Sequence, residues 1–337
     1  MKKHTAVDVP LSTLASRRET RDAQYGFSRR DFFRWAVAAT AITKFNAEFL
    51  PRLGAAVRDA VKEYPIIWMQ GQSCSGCSVS ALNTVHPSIK KVLLDELLPG
   101  HQLILNFHPT LMAATGSMSV DVVRETVRSH KGKFILILEG AVPIADDGLF
   151  CTVGDEDGQS ITTLEWIRRL APDALAVLAV GTCAAFGGVA AAKPNPTVAK
   201  GLGDILEMEG IATPLLNIPG CPAHPDWFLG TVAHVLLYGL PEPHQIDEMR
   251  RLKTFYGRTV HERCTRRDDM EEGIYASKLG EGGCLLAIGC KGPFAYGDCP
   301  SRRWNSRVNW CISANGPCLG CTEPAFPDGH SPLYQRV

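Results

Sequence analysis

Residues 174–183 read Ala174-Leu175-Ala176-Val177-Leu178-Ala179-Val180-Gly181-Thr182-Cys183. A short, unbroken apolar run bounded by a glycine reads as a strand buried on both faces. It delivers a cysteine just past its C-terminal end. The same phrase recurs on both sides. Ile66-Ile67-Trp68-Met69 stops at Gly71 and leads into Cys74-Ser75-Gly76-Cys77, and the run from Pro214 to Ile218 leads into Pro219-Gly220-Cys221-Pro222. Leu103-Ile104-Leu105 reads as another strand, and the run from Phe134 to Leu138 ends in Glu139-Gly140. Helical periodicity fills the intervals, over 88–98, 120–130, 162–170 and 227–238. Strands alternating with helices predict an α/β fold with a doubly wound parallel sheet. The C-terminal strand ends of such a sheet share one edge, where ligands collect. Cys74, Cys77, Cys183 and Cys221 are therefore expected together. Gly76, Gly187, Gly188 and Gly220 flank them and allow backbone to approach a bulky inorganic group.

Three chemistries compete for these thiols. Cys-x-x-Cys after a strand suits a thioredoxin-type redox pair, which leaves Cys183 and Cys221 without a role. A structural zinc site takes four thiolates, but usually as two close pairs. A cubane iron–sulfur cluster needs four thiolates and tolerates scattered donors.

After about residue 245 the regular pattern fades while glycine, proline and cysteine rise. The donors there are His261, Cys264, Cys284, Cys290, Cys299, Cys311, Cys318 and Cys321. A segment so poor in apolar runs needs added cohesion, which internal metal clusters supply. Disulfides are the rival for an exported protein, whereas Cys299-Pro300 and the Cys-x-x-Cys at 318–321 are similar to ferredoxin ligation. Of the twelve cysteines, Cys151 is expected in a loop as a buried, inert thiol. The remaining eleven and His261 make twelve donors, or three sets of four.

The 337 residues suit two domains. Thirty-five basic and thirty-five acidic side chains cancel, which removes the electrostatic case for a general nucleic-acid binder. No apolar run reaches the length of about 18 residues that a transmembrane helix needs. At the N-terminus, Ser28-Arg29-Arg30-Asp31-Phe32-Phe33 precedes the uncharged run from Trp35 to Thr43. This pattern predicts a twin-arginine export signal and linker over 1–60, the alternative being an amphipathic helix with an incidental arginine pair. That route carries folded proteins, which suits a cofactor inserted before export.

In order and spacing, the motifs resemble those of the small, electron-transfer subunit of nickel–iron hydrogenases. The resemblance runs from about Pro65 to the C-terminus. It rests on residues 71–77 (GQSCSGC), 139–143 (EGAVP), 181–188 (GTCAAFGG), 192–197 (AKPNPT), 219–222 (PGCP), 261–264 (HERC) and 289–293 (GCKGP). It implies a flavodoxin-like domain over 61–243 and an irregular cluster-binding domain over 244–337. Cys74, Cys77, Cys183 and Cys221 would hold a proximal 4Fe–4S cluster, nearest the nickel–iron site of a separate large subunit. His261, Cys264, Cys284 and Cys290 would hold a distal 4Fe–4S cluster near the surface. Cys299, Cys318 and Cys321 would hold the middle one.

One departure from the common pattern is informative. Many relatives carry proline after the equivalent of Val308-Asn309-Trp310, which leaves a 3Fe–4S centre. This chain has Cys311, which implies a fourth ligand and a 4Fe–4S middle cluster. Cys311, residues 302–305 (RRWN) and residues 327–329 (PDG) resemble the nickel–iron–selenium branch. Extra cysteines around Cys74 and Cys77, carried by oxygen-tolerant relatives, are absent.

The implied protein is the small subunit of a periplasmic hydrogenase. It would be active in hydrogen oxidation or evolution only with its large subunit, passing electrons to an acceptor such as a multihaem cytochrome c. No apolar tail follows Tyr334, so anchoring by such a helix is not expected. Glu139 is expected to fix backbone amides, with proton relay the alternative. His224 is expected to hydrogen-bond near the proximal set without ligating, and Arg302 and Arg303 to be structural or part of a partner surface. The rival functions are an exported zinc scaffold and a quinone-reductase-type subunit sharing only the first domain's site.

Overall fold

The computed structural model describes residues 62–334 apart from 86, 89–90, 93–95 and 99–100, so the Arg29-Arg30 motif lies outside the described residues. Strand β1 (Lys62–Gln70) leads into helix α1 (Gly76–Leu82), and β2 (Glu96–Leu98) into β3 (His101–Phe107). Helix α2 (Ser117–Ser129) precedes β4 (Ile135–Glu139), and a hairpin of β5 (Thr152–Glu156) and β6 (Gln159–Thr162) precedes helix α3 (Thr163–Leu170). Then follow β7 (Ala176–Val180), α4 (Thr182–Phe186), α5 (Leu202–Met208), β8 (Leu215–Ile218) and α6 (Pro225–Tyr238).

Six of these strands form one sheet in the order β2-β3-β1-β4-β7-β8. Five of the six are parallel, and β2 runs antiparallel at the edge. Every position of β4 (ILILE) and β7 (AVLAV) is buried, as the unbroken apolar runs require of strands covered on both faces. Alternate residues supply the two faces. Ile67, Met69, Leu136, Leu138, Val177 and Ala179 pack with Val120 and Val123 of α2, Leu164 and Ile167 of α3, and Leu202 and Ile205 of α5. Trp68, one residue out of phase, meets Phe228 of α6 edge-on at 5.2 Å.

Local chemistry sets the helix ends. Thr162 caps α3 by accepting from the Glu165 amide at 3.0 Å. Glu165 in the first turn and Arg168 and Arg169 in the last complement the helix dipole. His224 caps α6 by accepting from the Asp226 amide, with Pro225 in the first turn.

Helix α6 is buried on nearly all sides because the C-terminal region covers the face turned away from the sheet. Trp227 packs against Tyr256 with the rings tilted and their centroids 5.0 Å apart, and its Nε1 donates to Asp298 at 2.7 Å. Arg302, also buried, pairs with Asp298 at 2.6 Å and Asp226 at 3.1 Å. The nearly buried His224 ring donates from Nε2 to the Arg303 carbonyl at 2.7 Å. Beyond these contacts the region is short helical turns and loops around a small core of Val260, Leu285, Ile288, Trp310 and Ile312, into which Cys290 and Cys318 are packed. Its cysteines are thus part of its core.

The structure alters two local expectations. Residues 96–98 extend as an edge strand instead of ending a helix over 88–98, pairing Glu96 with Gln102 and Leu98 with His101. The Pro99-Gly100 pair that follows is a turn signal, and pairing with β3 outweighs helical periodicity there. The β5–β6 hairpin around Gly158 was hidden because its strands are short and largely exposed.

Candidate metal centre

Because β1, β4, β7 and β8 are parallel, their C-terminal ends share one edge. The strand order reverses between β1 and β4, where an open sheet leaves its ligand crevice. The turn after β1 brings Cys74 and Cys77, the turn after β7 brings Cys183, and the turn after β8 brings Cys221. These thiols lie within electrostatic reach of one another. Cys77 senses Cys183 and Cys221, and Cys221 senses Cys183 and Cys74. Burial is the main reason the Cys77 and Cys183 thiols are pushed up, and it lifts Cys221 to about 11. Two glycines make the cradle. A Cβ on Gly181 (φ +89°) would sit 2.5 Å from the Cys77 sulfur, and one on Gly188 (φ +49°) 3.0 Å from the Cys183 sulfur.

Glu139, at the end of β4, is 1% exposed and lies directly behind this edge. Its Oε1 accepts from the amides of Cys77 at 2.9 Å and Ser78 at 3.2 Å. Its Oε2 accepts from Trp68 Nε1 and Gln70 Nε2, both at 3.2 Å, and from the Ser78 hydroxyl. The Ser78 hydroxyl in turn accepts from His108 Nε2 at 3.0 Å, because His108 Nδ1 already accepts from the Thr110 amide at 3.2 Å. Burial pushes the His108 imidazole down, towards its neutral form. Five donors converge on one carboxylate, which is the amide-fixing role expected of Glu139.

The remaining donors gather in two further places. His261, Cys264, Cys284 and Cys290 line one cavity with Leu285, Pro293 and Ile312. Cys290 senses Cys264 and Cys284. The Arg266 amide donates to the Cys264 sulfur at 3.4 Å. Cys299 senses Cys321 and Cys311, and Cys318 senses Cys321 and Cys299. Burial drives Cys299 and Cys318 well up and Cys321 to about 12. Cys311 is exposed as a residue, yet burial is the main cause that raises its thiol.

The three sets touch one after another. The Thr182 hydroxyl, next to Cys183, donates to the Cys321 carbonyl, and the Cys321 thiol senses Cys221. The Cys318 amide donates to the Cys290 sulfur at 3.4 Å, and the Lys291 amide donates to the Cys318 carbonyl at 2.7 Å. The set containing Cys299, Cys311, Cys318 and Cys321 therefore lies between the other two.

None of the twelve cysteines is in a disulfide. Cys151 stands apart, half-buried, with the Thr163 hydroxyl donating to its sulfur at 3.2 Å. Both nitrogens of His224 are engaged, by Arg303 and Asp226, so it is a tie between elements. Among the described residues, no three His, Cys, Asp or Glu side chains converge on a single metal-ion position, and no helix is long and apolar enough to cross a membrane.

The donor chemistry fits iron–sulfur clusters. Soft thiolates in enclosed, apolar surroundings are their ligands, and burial that disfavours a bare thiolate is offset by cationic iron. The indole Nε1 of Trp310 is buried without a hydrogen-bond partner among the described residues, in the same core as Cys290 and Cys318. A sulfide-bearing group would give such a donor an acceptor.

Residues 256–334 match the family described as the C-terminal part of the NiFe/NiFeSe hydrogenase small subunit, and residues 74–235 match that described as NADH ubiquinone oxidoreductase, 20 Kd subunit. The periplasmic [NiFeSe] hydrogenase small subunit of Desulfomicrobium baculatum is 43% identical over 319 residues, covering 91% of this chain and 98% of its own. The chain belongs to the hydrogenase small-subunit family. The periplasmic [NiFe] hydrogenase small subunit of Solidesulfovibrio fructosivorans is 36% identical over 324 residues, covering 94% of this chain and 96% of its own. A crystal structure of the reduced, active Ni-Fe-Se hydrogenase from Desulfomicrobium baculatum superposes with a TM-score of 0.76 at 44% identity, covering 82% of this chain and all of that one.

Identity is thus higher to the selenium-containing branch than to the nickel–iron relative. As a hydrogenase small subunit the chain is the electron-transfer part of a hydrogen-oxidising oxidoreductase. Sequence reading missed two polar contributors to the cysteine sets of this small subunit. The Trp304 side chain works against burial to lower the Cys299 thiol, and Thr182 ties two cysteine loops together. Both lie inside sequence motifs, at 302–305 and 181–188, but their roles were not legible because each acts across a contact made only in the folded chain.

Proposed function

We propose that the three sets hold three iron–sulfur clusters in a line between the nickel–iron site of a large subunit and an external acceptor. Cys74, Cys77, Cys183 and Cys221 hold the proximal 4Fe–4S cluster. Cys299, Cys311, Cys318 and Cys321 hold the middle one, a 4Fe–4S cluster because Cys311 supplies a fourth thiolate. His261, Cys264, Cys284 and Cys290 hold the distal 4Fe–4S cluster. The observation that carries this reading is the order of the sets, each joined to the next by a hydrogen bond, the Thr182 hydroxyl to the Cys321 carbonyl and the Cys318 amide to the Cys290 sulfur. When bound, iron–sulfur clusters supply one-electron oxidation and reduction at potentials set by ligands, burial and hydrogen bonds. The chain's own part is to hold the thiols, exclude water and donate N–H groups to sulfur, as Ala223 does to Cys77 at 3.5 Å and Gly320 to Cys318 at 3.5 Å.

In the same reading, residues 61–243 form a flavodoxin-like domain, a name that the order β3-β1-β4-β7-β8 supports. Residues 244–337 form the domain of the middle and distal clusters. The protein is periplasmic, a location that the printed name of the Desulfomicrobium relative supports, and the Arg29-Arg30 pattern is its twin-arginine export signal. It pairs with a large subunit that holds nickel and iron, and passes electrons to an acceptor such as a multihaem cytochrome c.

Iron, acid-labile sulfide, nickel and zinc, quantified per copy of this chain in the purified native complex, test the proposal. About twelve irons on this subunit, at four per cubane, with nickel on a co-purifying larger chain, are expected. Zinc without sulfide or nickel would overturn it. His261→Cys tests the distal assignment. An imidazole ligand raises a cluster's potential relative to thiolate, as in Rieske centres, so the variant's distal potential should fall while the other two hold. An unchanged distal potential would remove His261 from the ligand set.

A further inference from the structure

Thr182 is 1% exposed and lies between Gly181, which closes over Cys77, and Cys183. Its amide donates to the Gly220 carbonyl at 3.0 Å, and its hydroxyl accepts from the Gly220 amide at 2.9 Å. The same hydroxyl donates to the carbonyl of Cys321. One side chain thus joins the turns bearing Cys183 and Cys221 to the distant segment bearing Cys321. A hydroxyl both accepts and donates, so no apolar side chain of the same shape can replace it. Both partners are backbone groups, so the contact fixes where the Cys321 segment sits relative to the amide of Cys221.

We propose that the Thr182 hydroxyl is a positioning group for electron relay, holding the Cys321 segment against the Cys221 turn so that the Cys221 backbone N–H faces the Cys321 thiol. The inference rests on the reading of Cys321 as a ligand of the middle cluster. A hydrogen bond from an amide to a ligand sulfur stabilises the reduced, more negative cluster and raises its potential. Thr182 therefore acts on the middle cluster from within a turn that carries a proximal ligand. The other junction, between Cys318 and Cys290, uses backbone groups and a sulfur only. Thr182 is thus a place where a side chain can be changed to alter one junction and leave the other.

The test is an EPR-monitored redox titration of the intact complex, with iron counted per chain, for wild type and for Thr182→Val, Thr182→Ala and Thr182→Ser. Valine keeps the shape and removes the hydroxyl, while alanine removes the hydroxyl with less bulk if valine does not assemble. The expected result is a lower middle potential in both, with proximal and distal potentials and iron content at wild-type values. Serine should restore the middle potential, since it keeps the hydroxyl. A middle potential unmoved in Thr182→Val and Thr182→Ala would overturn the proposal. So would a shift that serine does not restore, or loss of iron from all three sets together in both variants. The underlying ligand reading fails separately, in the wild-type protein, if its iron count or spectra show no middle cluster.

Discussion

Glu139→Ala should lower the melting temperature of the complex by about 10 °C. The carboxylate is the shared acceptor of the Cys77 and Ser78 amides, Trp68 Nε1, Gln70 Nε2 and the Ser78 hydroxyl, in a site from which water is excluded. Each buried donor left without an acceptor costs about 1–3 kcal/mol, and removing one partner of a buried polar network costs about 3–5 kcal/mol in all. For a domain of this size each kcal/mol moves the transition by about 2–4 °C. The loss should also loosen the start of α1, because Glu139 holds the amide of Cys77 itself. Differential scanning calorimetry with iron counted before heating checks both effects. A transition within about 2 °C of wild type would show that the network does not bear on stability.

Cys311→Pro should remove one iron and leave the rest. The substitution installs the residue that many relatives carry after the equivalent of Trp310. It withdraws one thiol from a group in which Cys299 and Cys321 both sense Cys311. The expected protein holds about eleven irons where wild type holds about twelve. Its oxidised form should show a three-iron EPR signal, and its middle potential should rise because cluster type is a main determinant of potential. Hydrogen evolution would then be more uphill along the relay. Unchanged iron and spectra would exclude Cys311 as a ligand and keep the family assignment.

The parallel sheet and the first cysteine set were legible because each depends on short-range pattern. An apolar run of strand length followed by glycine says where a strand ends, and parallel topology carries those ends to one edge. Cys183 and Cys221 could be placed beside Cys77 with no knowledge of side-chain contacts. The helix expected over 88–98 shows the limit of the method, since pairing with β3 settled residues 96–98. The β5–β6 hairpin was illegible for a related reason: its strands bury too little to write a period into the sequence.

The sequence by itself determined the donor inventory: twelve cysteines, one set aside, and a histidine three residues before Cys264. It also determined the alternation of buried strands and helices, because burial on two faces demands unbroken apolar runs. The family resemblance implied which cysteine group is the middle one, but only the tertiary structure shows the contacts that put it there, because Thr182–Cys321 and Cys318–Cys290 join segments that no local period relates. It likewise decided what Glu139 and Thr182 hold. The partners of Thr182, and two of the five donors to Glu139, are backbone groups, which leave no trace in composition; they become specific only when α6 is packed between the sheet and the C-terminal region and the cysteine loops are pressed together.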